Sequence, residues 1–328
     1  MGSPYRIALI GFGLIGRQRL QAIEALIEDG INIQIIGICD PVLDSTYKNL
    51  SLSEILEMDP DLVIVSTPHD LAKNFSIKLL KTRSKLLVEK PLGRTLKEFE
   101  SIAQSVIKEN QLFVGFNYPY FEGIRALESD IRKNKFGEIY RLSLNMGHGG
   151  SPGDDLTWKL DPIRAGGGCL IDPGIHLFDL IYFLLDEVAE VDFCRTSSPF
   201  WKTGIEEIAI CSLHTKKIGV IEVNISITQW KSTFGIKVEG SSGYGEVVGR
   251  GKSYGPQTYR RGTKWSWLNG NSQSMNEELV LETNCDASFK DEIRDLILEN
   301  CDSAVWNSLA RMRNAMQLVE NCRKLAFI

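Results

Sequence analysis

The sequence predicts an α/β protein: an N-terminal doubly wound parallel sheet, then a C-terminal α+β domain built on a mostly antiparallel sheet. Three observations carry this. Short solid apolar runs alternate with helical repeats through residues 1–119. A G-x-G-x-x-G turn joins the first apolar run to the first helix. From about residue 120, segments alternating apolar and polar residues replace the solid runs, the mark of half-buried antiparallel strands.

Residues 6–10 (Arg-Ile-Ala-Leu-Ile) suit a buried parallel strand. Gly11-Phe12-Gly13-Leu14-Ile15-Gly16 follows at once, and residues 17–28 place Leu20, Ile23, Ala25, Leu26 and Ile27 at helical spacing. In this context the motif reads as a Rossmann dinucleotide-binding fingerprint. Its first glycine makes the tight turn, the second admits the pyrophosphate, and the third lets helix and strand pack. The helix N-terminus then faces the phosphates. Residues 34–39 form the second strand and end at Asp40, where an acid binds the adenosine ribose hydroxyls. A 2′-phosphate would meet that charge, and Pro41-Val42-Leu43 supplies no cation, so NAD is favoured over NADP.

Ser51-Leu52-Ser53-Glu54 is a capping box opening a short helix. Residues 61–66 are the third strand, closing on Ser66-Thr67-Pro68, and 71–81 are helical. A fourth strand, 85–88, runs into Glu89-Lys90-Pro91; a helix over 95–108 and a strand over 112–114 complete the sheet. Ligands of such sheets sit beyond the carboxyl ends of the strands. Gly11, Asp40, Thr67, Lys90 and Asn117 all lie at such ends.

The second half reads as a helix over 121–133 and strands over 139–146, 205–213, 221–227, 233–239 and 244–248, with a loop-rich excursion over 240–275. A helix over 172–185 backs the sheet. A last helix, about 304–325, is expected to pack back on the first domain, giving domains at 1–119 and 120–328.

Gly166-Gly167-Gly168-Cys169-Leu170-Ile171-Asp172-Pro173-Gly174-Ile175-His176 is where the chemistry is expected. A glycine run lets the chain approach a ligand without a Cβ in the way. With a helix starting near Asp172, Asp172 and His176 share one face about 6 Å apart along the axis. His176 suits acid/base work because an imidazole titrates near working pH. Lys90 is placed to hydrogen-bond the reacting oxygen, and Asp172 to orient the imidazole or hold a substrate hydroxyl, unless it simply caps the helix. Asn117 is expected to meet nicotinamide or substrate, and Glu89 the cofactor's ribose or amide region. His148, Trp158, Lys159 and Arg164 either contact substrate or belong to a solvated loop. His214 reads as structural.

At 328 residues, with 43% hydrophobic and 24% charged, the composition is that of a globular chain. A net charge of −5 argues against nucleic acid or an anionic membrane as partner. No apolar run approaches the roughly 20 residues of a membrane span, and no export signal is visible, so a cytoplasmic location is expected. The seven cysteines are scattered and never spaced as C-x-x-C, reading as reduced thiols rather than a disulfide frame or metal site.

Together, the glycine fingerprint, Asp40, Thr67-Pro68, Glu89-Lys90-Pro91, Asn117 and the Gly-Gly-Gly…Asp172…His176 run resemble the glucose-fructose oxidoreductase/inositol dehydrogenase (Gfo/Idh/MocA) family of NAD(P)-dependent oxidoreductases. The resemblance covers nearly the whole chain. It implies a large open sheet in the C-terminal domain that mediates a homodimer or homotetramer, and a cis Lys90-Pro91 peptide. The implied activity is hydride transfer between NAD and a secondary hydroxyl or keto group of a sugar, cyclitol or nucleotide-linked sugar. Redox-neutral NAD-dependent elimination or hydrolysis, and a non-catalytic NAD(P)-sensing regulator, are the alternatives. The chain departs from the family's pattern after Thr67-Pro68, with His69 and Ala72 where an Asn and a His are usual.

Overall fold

A computed structural model describes residues 2–154, 157–263 and 277–326. The chain forms two compact units, one drawn from Met1–Asn117, Ile163–Gly166 and Ala287–Arg313, the other from Tyr118–Pro162, Gly167–Asp286 and Asn314–Ile328.

The N-terminal elements are β1 (Tyr5–Ile10), α1 (Leu14–Glu28), β2 (Ile33–Cys39), α2 (Leu52–Met58), β3 (Leu62–Val65), α3 (His69–Leu79), β4 (Lys85–Glu89), α4 (Leu96–Ala103) and β5 (Leu112–Gly115). Then follow α5 (Glu122–Arg132), β6 (Ile139–Gly147), α6 (Pro162–Ala165), α7 (Gly174–Leu185), β7 (Glu190–Ser197), β8 (Ile208–His214) and β9 (Val220–Ser226). The chain continues through β10 (Thr233–Gly240), β11 (Gly243–Val248), β12 (Gln257–Thr263), β13 (Glu277–Thr283), α8 (Ser288–Ile297) and α9 (Ser308–Leu325).

In the first unit the sheet order is β2-β1-β3-β4-β5, every pair parallel. β3 and β4 are buried on both faces at Leu62–Val65 and Leu86–Val88, which is why their sequence is solidly apolar. The chain turns back across the sheet between β1 and β3, and that switch point is where open α/β sheets bind ligands. The capping box is present: Ser51 Oγ accepts from the Glu54 amide, and the Glu54 carboxylate accepts from the Ser51 amide. The helix over 95–108 is shorter than expected, because amides of Ser105 and Val106 bond three residues back rather than four and Asn110 turns left-handed at φ 55°.

The second unit is an eight-stranded sheet in the order β13-β12-β11-β10-β6-β9-β8-β7, antiparallel except for β6 beside β9. Alternation is clear: Ile221, Val223 and Ile225 of β9 and Ala209, Cys211 and Leu213 of β8 are buried, while Ile210 and Val220 face outward. α7 packs against β6 and α5. It is apolar nearly all round and accordingly buried. Strands β7, β12 and β13 and helix α8 are additional to the sequence expectation. β11 is the strand expected over 244–248, whereas β12 occupies part of the 240–275 stretch read as loop-rich, whose last part falls in 264–276, outside the described residues. Among the described residues no helix is long and apolar enough to cross a membrane.

Candidate active site

The glycine turn after β1 is built as its three roles require. Gly11 adopts φ 89°, and a Cβ there would lie 2.5 Å from the carbonyl oxygen of Ser66 at the end of β3. A Cβ on Gly16 would strike the Gly11 carbonyl at 2.2 Å, so α1 sits directly on the turn. Gly13, by contrast, faces open space at the helix N-terminus, with Leu14 exposed beside it and Ile15 half-buried. One Asp40 carboxylate oxygen accepts the Phe12 amide at 2.7 Å and the other the Val42 amide at 2.9 Å, which locks the tip of β2 to the glycine turn. Across the switch point, Ser66 Oγ and Thr67 Oγ1 are buried with no hydrogen-bond partner among the described residues. An unmet buried hydroxyl costs about 1–3 kcal/mol, so two of them beside an open helix N-terminus fit a ligand rich in oxygen acceptors. These residues fit a dinucleotide.

Pro68 stands at the N-cap of α3, which begins at His69, two residues before the expected start. The His69 ring is buried, with Nδ1 2.8 Å from the carbonyl oxygen of Ala165. Ala72 is buried in the same helix. The departure from the family's pattern thus creates a structural tie between α3 and residues 163–166. Arg164 Nε donates to Asp70 at 3.1 Å, so this expected substrate contact is engaged in an ion pair of the first unit.

Lys90 follows β4 and is half-buried, and the Lys90-Pro91 peptide is cis as the resemblance implied. Its neighbour Glu89 has a protein partner. Arg19, fully buried on α1, donates to Glu89 Oε1 from Nε at 2.7 Å, and its Nη2 lies 2.6 Å from the same oxygen as an ion pair. The same guanidinium donates from Nη1 to Glu292 of α8 at 2.6 Å. One cation thus serves two carboxylates, and burial pushes Glu292 up to about 7, with Arg19 opposing. Asn117 is buried and donates to Ser288 Oγ at 2.8 Å, which fixes its amide at the end of the first unit's N-terminal segment.

In the second unit Gly167 and Gly168 pack closely against protein, a reason for glycine that the sequence expectation did not include. A Cβ on Gly168 would lie 1.9 Å from the Glu206 carbonyl oxygen, and one on Gly167 1.6 Å from Arg323 Nη2. A correction concerns Asp172. The chain from Gly168 to Pro173 makes its own turn, with the Asp172 amide bonding Gly168 and the Gly174 amide bonding Cys169, so α7 begins at Gly174. Pro173 holds the N-cap position and no side chain caps the helix. Asp172 is therefore not the cap. It lines a pocket with His148, Asp154, Lys159, Gly168 and Trp201.

Burial holds the His148 imidazole below its ordinary value, with Asp172 opposing and Lys159 and Arg250 adding to the effect. A neutral ring also suits the bond it makes, Nδ1 accepting the Gly150 amide at 3.1 Å. The Trp201 indole donates to the Ile227 carbonyl at 3.2 Å, which anchors it at the pocket wall. Trp158 lies in the 3-10 turn Trp158–Leu160, and its neighbour Lys159, rather than Trp158, is among the pocket residues. His176, on the first turn of α7, is 5% exposed and stacks flat on Tyr118. Sequence reading missed Tyr118, Trp201 and Arg250, since each reaches this cluster from a distant part of the chain. His214 meets Asp192 at 2.8 Å across β7 and β8, the structural role expected of it.

The cysteines are less scattered than they read. Cys194 and Cys211 are paired across β7 and β8, and Cys322 of α9 joins them. Their sulfurs all lie within 4.8 Å of one another, buried.

Comparison with known proteins follows the same division. Residues 5–116 match the profile described as "Oxidoreductase family, NAD-binding Rossmann fold", and residues 124–246 match the "GFO/IDH/MocA C-terminal domain". The myo-inositol 2-dehydrogenase of Thermotoga maritima is 26% identical over 233 residues, 66% of this chain and 67% of that protein. The glucose-6-phosphate 3-dehydrogenase of Bacillus subtilis is 24% identical over 193 residues, 55% of this chain and 54% of that one. These matches thus span about half to two-thirds of each curated relative. An oxidoreductase domain protein from Kribbella flavida superposes with a TM-score of 0.82 at 18% identity, covering 98% of this chain and 97% of that one. Levoglucosan dehydrogenase in complex with NADH gives 0.82 at 16% identity, covering 99% and 98%, so the fold is shared. With both halves of the chain matched and a dinucleotide cradle at the switch point of its parallel sheet, the protein belongs to the GFO/IDH/MocA family of NAD(P)-dependent oxidoreductases.

Proposed function

We propose that the protein is an NAD-linked dehydrogenase or reductase acting on a secondary hydroxyl or keto group of a sugar, cyclitol or nucleotide-linked sugar. The observation that carries this is the second unit's cluster: Asp172 and a half-buried His148 line one pocket, and His176, four residues beyond Asp172 in the chain, stacks on Tyr118. The similar proteins named inositol, glucose-6-phosphate and levoglucosan dehydrogenases support a ring hydroxyl as the reacting group.

Each residue has a role in the alcohol-oxidising direction. His176 takes the hydroxyl proton, and in the reverse direction returns it. The Lys90 ammonium donates a hydrogen bond to the reacting oxygen and favours the negative charge developing there. Asp172 orients the imidazole or holds a neighbouring hydroxyl. Bound NAD supplies the hydride acceptor. Gly13 and the first turn of α1 take the pyrophosphate, and Asp40 the adenosine ribose, whose 2′-hydroxyl it accepts where a 2′-phosphate would be repelled.

The test is a screen of cyclitols, free sugars and sugar nucleotides, following nicotinamide absorbance with NAD and, for the corresponding ketones, NADH. Turnover with at least one compound that depends stoichiometrically on added NAD supports the reading. Product formation from a sugar with no net change in nicotinamide absorbance replaces it with redox-neutral chemistry.

A further inference from the structure

The helix alone does not hold His176. Its ring lies against Tyr118 with centroids 3.8 Å apart and planes 6° from parallel. Contact that close blocks rotation of the imidazole about its Cβ–Cγ bond, because turning drives ring atoms into the tyrosine. Tyr118 is itself fixed. It sits buried in the 3-10 turn Tyr118–Tyr120, with Phe121 and Phe234 edge-on at 5.2 Å and 5.7 Å. Its hydroxyl reaches Met146 Sδ at 3.7 Å. The Arg250 guanidinium lies over the same tyrosine ring at 5.3 Å and over Tyr254 at 3.8 Å. Stacked aromatic pairs and a cation over a ring face are both attractive beyond their buried area, so the contacts reinforce one another.

Arg250 reaches this position from the turn after β11. Gly249 and Gly251 both adopt left-handed backbone, φ 75° and 86°, and a Cβ on Gly249 would lie 2.1 Å from the Pro256 carbonyl oxygen. The turn is closed tightly on itself, so the guanidinium hangs from a fixed base.

We propose that Tyr118, held in place by Arg250, is the positioning residue of the His176 imidazole, setting the plane in which that ring meets its substrate. The proposal rests on His176 as the acid/base, but its test does not. Nothing in the glycine fingerprint or the Asp172…His176 run points to a tyrosine 58 residues before the histidine or an arginine 74 residues after it; the ring contacts alone do.

The experiment is NMR of protein labelled at its four histidine side chains, the His176 signal being the one lost in His176→Asn. Stacking on a tyrosine face places the carbon-bound ring protons of His176 upfield of those of His214. Tyr118→Phe keeps the ring face and leaves that shift in place. Tyr118→Leu removes it and moves the signal downfield toward the position of His214. Arg250→Met leaves His69 and His214 unmoved but shifts or broadens His176. A His176 signal unchanged in Tyr118→Leu overturns the proposal; should that variant not fold, a His176 signal unchanged in Arg250→Met overturns it instead. Full turnover in His176→Asn would refute the acid/base role while leaving the NMR outcome intact, so the two failures are distinct.

Discussion

The Arg19–Glu89–Glu292 triad makes a quantitative prediction. Arg19 and Glu292 are both fully buried, and two carboxylates share one guanidinium, so the set carries an excess negative charge away from water when both acids are ionised. Burial is the largest influence on Glu292 and raises it from 4.5 to about 7. Its folded value lies above its unfolded one. The protonated acid therefore favours the folded state, a contribution fully present below about pH 4.5 and lost as pH rises through 7. A rise of about 2.5 units at about 1.4 kcal/mol each makes the loss about 3 kcal/mol, as an order of magnitude. Glu292→Gln keeps the side-chain volume and an acceptor for Arg19 Nη1 but cannot titrate. Urea unfolding of both proteins between about pH 5 and pH 8 is the assay. The wild-type protein should lose about 3 kcal/mol more stability over that range than the variant does. Equal losses would refute the argument and show that Glu292 stays ionised throughout.

Other outcomes follow from the site. His176→Asn should lower turnover by about 10²–10⁴-fold while NAD affinity, followed by nicotinamide fluorescence, is unchanged. Gly13→Ala meets no protein atom and has ordinary backbone, so thermal stability should stay within about 0.5 kcal/mol while NAD binding weakens at least tenfold. Gly11→Ala, forced into a left-handed φ and 2.5 Å from the Ser66 carbonyl oxygen, should instead destabilise the fold, visible as a lower melting temperature. Asp40→Ala should weaken NAD much more than NADP in competitive titrations, with equal losses arguing against a ribose contact. Part of either loss will come from the Phe12 amide, which the substitution leaves without its acceptor.

Much of the site was legible because it is local. The strand, glycine turn and helix at 5–28, the capping box at Ser51–Glu54 and the strand ends at Asp40, Thr67 and Lys90 all depend on residues adjacent in the chain. The helix carrying His176 was legible for the same reason, though its start was not. Asp172 reads as a cap, but the amides around it bond back to Gly168 and Cys169, and the first helical residue is Gly174. The triple glycine reads as space for a ligand, and the protein atoms that crowd Gly167 and Gly168, from Arg323 and the Glu206 carbonyl, arrive from other elements.

The chain's order of apolar runs, turns and caps was enough to specify a parallel nucleotide-binding sheet followed by an antiparallel one, since backbone preference and burial period act over a few residues. Which side chains share a charge or a ring face was settled by folding alone. Arg19 meets Glu292 across 273 positions of sequence, and Arg250 meets Tyr118 across more than a hundred, because desolvation and stacking act through space and leave no periodic trace in the chain.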